Sequence, residues 1–171
     1  MPVTRLNHAV LYVRDVPHSV TFYRELLGFD VIVQLNGAAF LRAPGSTNDH
    51  DLGLFEMGAD AAASGAGRTA VGLYHLAWEV DTLTELERFA AALTEAGALV
   101  GASDHGTTKA LYARDPDGLE FEMSWLVPAD RLSDAQLPEG AFTLPLDLAK
   151  EKERYGAQTR GGVGVSHAGA A

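Results

Sequence analysis

The sequence predicts an α+β protein made of two tandem βαβββ modules and a C-terminal arm. Runs typical of strands and helices follow one another in the same order twice along the 171 residues. Each half also has one candidate helix that ends at a glycine, Gly28 or Gly97. A histidine in the first strand-like run of each half stands at nearly the same distance from that glycine, because His8 precedes it by 20 residues and His75 by 22. An internal correspondence of this kind indicates a repeated structural unit.

The first module is expected over residues 1–57. Apolar and polar residues alternate in its first run, as in a half-buried strand. Val20 and Leu27 then fall at helical spacing, and Gly28 fits the position after a helix end. A turn at Gly37 and a loop rich in turn-forming residues over 44–48 separate the later strands. The predicted elements are a strand over 5–13, a helix over 17–27, and strands over 29–35, 38–42 and 51–57.

Residues 58–70 are rich in glycine, alanine and serine and predict a linker to the second module, residues 71–128. That module repeats the order, and an Asp-Pro-Asp-Gly turn over 115–118 leads into its last strand. Its predicted elements are a strand over 72–80, a helix over 82–96, and strands over 98–102, 109–113 and 119–125. A C-terminal extension over 129–171 is expected to hold a short helix over 146–155 and a loose terminal arm over 161–171.

The composition of the chain excludes several classes of binding partner. A net charge of −10 argues against binding to nucleic acid and favours a small-molecule role. No run of about 18 apolar residues predicts a membrane span, and no apolar targeting segment precedes the first strand. The absence of cysteine excludes disulfides, thiolate metal sites and cysteine nucleophiles. We therefore expect a cytoplasmic protein without a membrane partner.

His8, His75 and Glu122 are the candidate metal ligands. Two neutral imidazoles and one carboxylate are the facial set that suits non-haem Fe(II) and leaves coordination positions for substrate and O2. In the run 119–125 the odd positions are apolar and the even ones polar, so Glu122 is expected on the face that a helix does not cover. His75 falls on the less apolar face of its strand, whereas the strand of His8 gives no clear alternation.

The paired modules, the histidine in the first strand of each, and the Asp-Pro-Asp-Gly turn shortly before Glu122 resemble the vicinal oxygen chelate superfamily. That superfamily includes glyoxalase I, bleomycin-resistance proteins and extradiol ring-cleaving dioxygenases. The likeness covers residues 5–126. It implies curved mixed sheets that close around a metal site on their concave side.

Within that superfamily, the second module resembles one-domain extradiol dioxygenases of the catechol 2,3-dioxygenase type. The resemblance rests on Asp104-His105-Gly106, Leu111-Tyr112 ten residues before the ligand glutamate, Gly118-Leu119-Glu120-Phe121-Glu122, and His50-Asp51-Leu52-Gly53-Leu54 of the first module. It implies Fe(II), or Mn(II), as cofactor and a small aromatic diol with O2 as substrates. It also implies that Tyr112 hydrogen-bonds the substrate, that His50 serves as acid and base, and that His105 is a second donor.

Two other functions remain open at this point. Glu56 falls near the position of a fourth ligand in glyoxalase I-like members, which would favour a metal-dependent isomerase or lyase with Ni(II) or Zn(II). A metal-free small-molecule (drug) binding protein of the same fold is the second. In each case we expect a homo-oligomer, a dimer or higher, to which the terminal arm could contribute.

Overall fold

The structure is a computed structural model that describes residues 2–3, 5–67, 69–135 and 137–162. The chain divides into two compact units, here called unit 1 (Met1–Ser64 with Asp115–Gly118) and unit 2 (Gly65–Arg114 with Leu119–Ala171). Each unit carries one mixed sheet and a helix in the repeated order, so the predicted α+β fold with two βαβββ modules is confirmed. The expected module boundaries stay a prediction, and most of the expected terminal arm, residues 163–171, lies outside the described residues.

Unit 1 holds a four-stranded sheet in the order β1-β4-β3-β2, in which β1 runs parallel to β4 and the other neighbours are antiparallel. The helix begins at Asp15, whose carboxylate accepts the backbone N–H of His18, and ends at Gly28 with φ of 79°. The elements are β1 (Ala9–Val13), α1 (Val16–Leu27), β2 (Asp30–Leu35), β3 (Ala38–Arg42) and β4 (Leu52–Glu56).

Unit 2 repeats this arrangement, because β5 runs parallel to β8 and antiparallel pairs continue outward in the order β5-β8-β7-β6-β9. Thr82 caps its helix by accepting the backbone N–H of Glu85. The repeated elements are β5 (His75–Glu79), α2 (Leu83–Glu95), β6 (Leu99–Asp104), β7 (Thr108–Arg114) and β8 (Glu120–Leu126).

The C-terminal extension belongs to unit 2 and packs against its sheet and helix. Its elements are a 3-10 helix (Ala129–Ala135), β9 (Leu144–Pro145) and α3 (Leu148–Tyr155), of which the first two were not expected. Strand β9 pairs with the outer edge of β6. Helix α3 lies against α2, where the ammonium of Lys152 is 2.6 Å from a carboxylate oxygen of Glu87. None of the helices in the described part of the chain is long and apolar enough to cross a bilayer.

Each helix covers one face of the sheet in its own unit. The alternation of strand side chains sends every second residue under the helix, and those residues form the buried core. In unit 1 they include Leu11, Val13, Leu52 and Leu54 with Val16, Val20 and Leu27 of α1; in unit 2 they include Phe121, Met123 and Trp125 with Leu83, Leu86, Phe89 and Leu93 of α2. The helix of each unit does not cover the opposite face of its sheet.

Candidate functional site

His75 and Glu122 come together on the sheet of unit 2. They lie on the parallel neighbours β5 and β8, where Glu122 is the register partner of Ala77, two residues after His75. Nε2 of His75 is 3.2 Å from Oε2 of Glu122, and their side chains are only 24% and 11% exposed. Two of the three predicted metal ligands are therefore adjacent and largely shielded from solvent.

The donor atoms of this pair fit a divalent metal. Two ligand atoms at right angles around a first-row metal, each about 2.1 Å away, stand about 3 Å apart, close to the spacing seen here. Nδ1 of His75 is buried and has no hydrogen-bond partner among the described residues. A buried polar atom without a partner costs free energy. Hydrogen bonds within the protein therefore do not account for the burial of this imidazole. Imidazole and carboxylate are also the donor types that Fe(II) and Mn(II) accept.

Tyr112 and His105 adjoin the pair. Tyr112 on β7 is the register partner of Glu122 on β8, and its ring centroid lies 5.7 Å from that of His75. The Tyr112 hydroxyl is 2.8 Å from Nε2 of His105, which stands in the turn between β6 and β7. Burial, followed by the charge of Glu122, raises the pKa of Tyr112 above its usual value. Its hydroxyl consequently remains a protonated donor at neutral pH.

His8 and His50 meet on unit 1, with ring centroids 4.6 Å apart. The structure corrects the expectation that His8 lies within a strand, since β1 begins at Ala9. The carbonyl of Asn7 accepts a hydrogen bond from the side chain of Asn48 at 2.8 Å, so the chain ahead of Ala9 is tied to a loop and not to a neighbouring strand. His50 lies just before β4 and is half-buried.

Asp51 holds the loop that presents His50, a role the sequence reasoning did not assign. Its carboxylate accepts the backbone N–H of Ala43 at 2.9 Å and the hydroxyl of Ser46 at 2.8 Å. It also accepts the side-chain amide of Asn48 at 2.6 Å. The signal in the sequence was an aspartate after a loop of turn-forming residues, 44–49, a composition typical of turns closed by side chains.

Glu56, the possible fourth ligand, is engaged with the helix of unit 1. Its carboxylate accepts the backbone N–H of Val16 at 3.1 Å, in the first turn of α1. His50 lies outside β4, which starts at Leu52, so strand alternation does not place it on one face with Glu56. In neither unit do three or more histidine, aspartate or glutamate side chains of the described residues form a group able to hold a metal ion.

Tyr74 and Glu120 flank the His75–Glu122 pair and were not singled out from the sequence as partners of one another. The ring of Tyr74 lies 4.5 Å from that of His75, and a hydrogen bond to Glu120 raises the pKa of the Tyr74 hydroxyl. A strand over the predicted residues 72–80 would place Tyr74 on its apolar face. Because β5 begins at His75, that alternation does not extend to Tyr74, which is exposed.

Comparison with known proteins identifies the family. Residues 5–123 match the glyoxalase/bleomycin resistance protein/dioxygenase superfamily, and the chain belongs to it. A crystal structure of a glyoxylase/bleomycin resistance protein/dioxygenase domain from Frankia sp. EAN1pec matches 74% of this chain and 100% of that domain, with a TM-score of 0.62 and 24% identity. This likeness shows the shared fold.

Two relatives in sequence are dioxygenases. Catechol-2,3-dioxygenase of Bacillus subtilis (strain 168) is 34% identical over 120 residues, which are 70% of this chain and 41% of the relative. Manganese-dependent 2,3-dihydroxybiphenyl 1,2-dioxygenase of Geobacillus genomosp. 3 is 27% identical over 125 residues, 71% of this chain and 36% of the relative. The chain thus matches less than half the length of either enzyme.

Proposed function

We propose that the protein is an extradiol ring-cleaving dioxygenase, which inserts O2 beside the diol of a catechol-type substrate with Fe(II), or Mn(II), as cofactor. The observation that carries the proposal is that two side-chain pairs lie next to each other in unit 2. His75 is 3.2 Å from Glu122, and Tyr112 is 2.8 Å from His105. One pair has the chemistry of metal ligands and the other that of proton donors and acceptors. The dioxygenase names of both relatives agree with this combination.

His75 and Glu122 would hold the metal, with His8 of unit 1 as the third ligand. When bound by two imidazoles and a carboxylate, Fe(II) supplies the open, redox-active centre that O2 chemistry requires. Glu122 contributes the negative charge of the set, and it is largely buried, so little water competes for its oxygens. A buried carboxylate needs a compensating partner, which a divalent cation provides.

Tyr112 would orient the diol. A tyrosine hydroxyl is protonated at neutral pH, and burial and Glu122 raise the pKa of Tyr112 further, so it can donate a hydrogen bond to a substrate oxygen and stabilise the ionised hydroxyl. Without substrate the hydroxyl proton points to Nε2 of His105, 2.8 Å away, and it would turn to the substrate oxygen when the diol binds. His50 would take up the diol proton and return it later, a task that histidine commonly performs as a general base and acid.

The contact of Glu56 favours this function over a glyoxalase-like isomerase. The isomerase alternative depends on Glu56 as a fourth ligand that closes a coordination position. Its carboxylate instead accepts the backbone N–H of Val16 and satisfies the start of α1. A three-ligand set leaves positions for both the diol and O2.

The test is catechol cleavage by protein reconstituted with Fe(II) under anaerobic conditions. Catechol and 3-methylcatechol are added, air is admitted, and absorbance is scanned for a yellow ring-fission product. We expect product from the wild type and from His18→Ala, a matched control in which an exposed histidine of α1 is removed. Product is expected to be lost in His75→Ala and Glu122→Ala. Tightly bound iron without any ring-fission product would overturn the proposal.

A further inference from the structure

The turn that carries His105 is tied at its base by one carboxylate. Asp104, the last residue of β6, is the register partner of Lys109 on β7, and residues 105–107 complete the turn between the strands. Oδ1 of Asp104 accepts the backbone N–H of Gly106 at 2.8 Å and also contacts the ammonium of Lys109. The orientation of His105 thus depends on where Asp104 is held.

Lys109 links this turn to the C-terminal extension. Its side chain is fully buried, and its ammonium lies 3.0 Å from Oε2 of Glu151 on α3, in addition to its contact with Asp104. Glu151 is itself 3% exposed. An ammonium removed from water is costly unless carboxylates compensate it, so Lys109 can occupy this position only while its carboxylate partners remain there. The proposed dioxygenase chemistry makes no use of these three charged groups.

Other parts of the C-terminal extension also contact the 105–107 turn. A Cβ at Gly106 would stand 2.4 Å from the carbonyl oxygen of Ala135, the last residue of the 3-10 helix. Strand β9 pairs Leu144 with Asp104. The carbonyl of Phe142 lies 3.4 Å from Nδ1 of His105. Because a carbonyl only accepts, this contact favours the tautomer with a proton on Nδ1, which leaves Nε2 free to accept from Tyr112.

We propose that Glu151 is a positioning residue for His105: through Lys109 and Asp104 it holds the 105–107 turn so that Nε2 of His105 accepts the hydroxyl proton of Tyr112. The inference assigns the C-terminal extension a role in the arrangement of the site in unit 2. Its activity readout rests on the proposed function, whereas its structural readout does not.

The first readout is the state of the His105 ring in the full-length, metal-free protein. Nitrogen chemical shifts of the histidine rings are measured by NMR, and the His105→Asn spectrum assigns the signals. In the wild type we expect a protonated Nδ1 and an unprotonated Nε2. In Glu151→Gln the two nitrogens are expected to shift toward each other, as in a ring that exchanges between tautomers. Lys152→Gln is the matched control on the same helix, since it removes only the exposed pair with Glu87, and it should match the wild type.

The second readout is steady-state kinetics on catechol. We expect Glu151→Gln to lower kcat by about tenfold with KM within about twofold, because the acid–base pair is misplaced while the metal ligands are intact. If Glu151→Gln does not fold, Asp104→Asn, Lys109→Met and Glu151→Leu together remove all three charges and leave no buried charge unpaired, a change that buried ion pairs often tolerate. That triple variant should show the same ring signals as expected for Glu151→Gln.

A folded Glu151 variant with wild-type His105 signals would overturn the proposal. A wild-type protein without catechol cleavage would refute the proposed function alone, and the ring signals would still decide the role of Glu151.

Discussion

Tyr112 and Glu122 face each other across the neighbouring strands β7 and β8, so that a protonated hydroxyl stands beside a largely buried carboxylate. The carboxylate helps to raise the pKa of Tyr112, and the hydroxyl contacts Nε2 of His105 at 2.8 Å. One cross-strand pair therefore joins the proposed metal ligand to the proposed proton donor. The strand register that pairs Tyr112 with Glu122 thus places the proposed donor beside the proposed ligand.

The Tyr112→Phe variant tests the donor role. Removal of the hydroxyl should lower kcat on catechol by about 10²-fold, the lower end of what a positioned acid–base group contributes. The free energy of unfolding should change by only about 1 kcal/mol, since one hydrogen bond is lost. Kinetics and urea denaturation measure the two effects.

Tyr155→Phe is its control, because the Tyr155 hydroxyl is buried on the extension and has no hydrogen-bond partner among the described residues. A Tyr112→Phe enzyme as active as the wild type would exclude the donor role.

Stability above pH 10 should depend on Tyr23. Burial, then the charge and hydrogen bond of Asp115, raises the pKa of Tyr23 well above its ordinary value. The folded protein keeps this hydroxyl neutral, whereas the unfolded chain ionises it near pH 10. The contribution of Tyr23 to stability is therefore fully present below about pH 10 and is lost as the pH rises from there toward the raised pKa.

Tyr23→Phe isolates that contribution. The hydroxyl donates to Oδ2 of Asp115 at 3.2 Å, so its removal should lower the free energy of unfolding by about 1–2 kcal/mol at pH 7. The further loss between about pH 9 and pH 10.5 should be smaller in the variant than in the wild type, because one ionising tyrosine is gone. Urea titrations at each pH give both quantities, and equal alkaline losses would contradict the assignment.

Gly106 and Gly28 form a matched pair for substitution by alanine. Both have a left-handed φ, 78° and 79°, so alanine costs about 1 kcal/mol at either position from backbone strain. Gly28 has open space around it, whereas a Cβ at Gly106 would clash with the carbonyl of Ala135. Gly106→Ala should therefore be about 1–3 kcal/mol less stable than Gly28→Ala by urea denaturation. Equal free energies of unfolding for the two variants would show that the extension does not pack closely against the turn.

Glu56→Ala distinguishes a helix cap from a metal ligand. Loss of the carboxylate leaves the backbone N–H of Val16 without this acceptor and should cost about 1 kcal/mol of stability, as the loss of a helix cap usually does. Iron content and catechol cleavage should be those of the wild type. A variant that loses its metal would reinstate Glu56 as a ligand and with it the isomerase alternative.

Local patterns in the sequence predicted most of the fold. The helices α1 and α2 end within two residues of their predicted limits, because a capping side chain and a glycine mark the first and a capping threonine the second. Strand β3 runs over the predicted residues, since Gly37 fixes the turn before it. The closeness of His75 and Glu122 was expected from their chemistry as a metal-ligand set and from the family resemblance, which implies a sheet curved around a metal.

Of the extension, the helix α3 was predicted, but the 3-10 helix and β9 were not, because they depend on distant partners. Strand β9 has only two residues and forms against the edge of β6. Lys109 gave no sign of burial, since lysine is rarely buried unless paired, and its second partner Glu151 lies 42 residues away in the sequence. The position of His8 outside β1 depends on a similar distant contact, because the carbonyl of Asn7 is bonded to the side chain of the loop residue Asn48.

The most direct test of the account is the iron content of the protein after anaerobic incubation with Fe(II) and desalting. The account predicts one iron per chain in the wild type, in His18→Ala and in Glu56→Ala, and none in His75→Ala or Glu122→Ala. Wild-type iron in either of the last two variants would contradict it, because the His75–Glu122 pair would not then be the metal site.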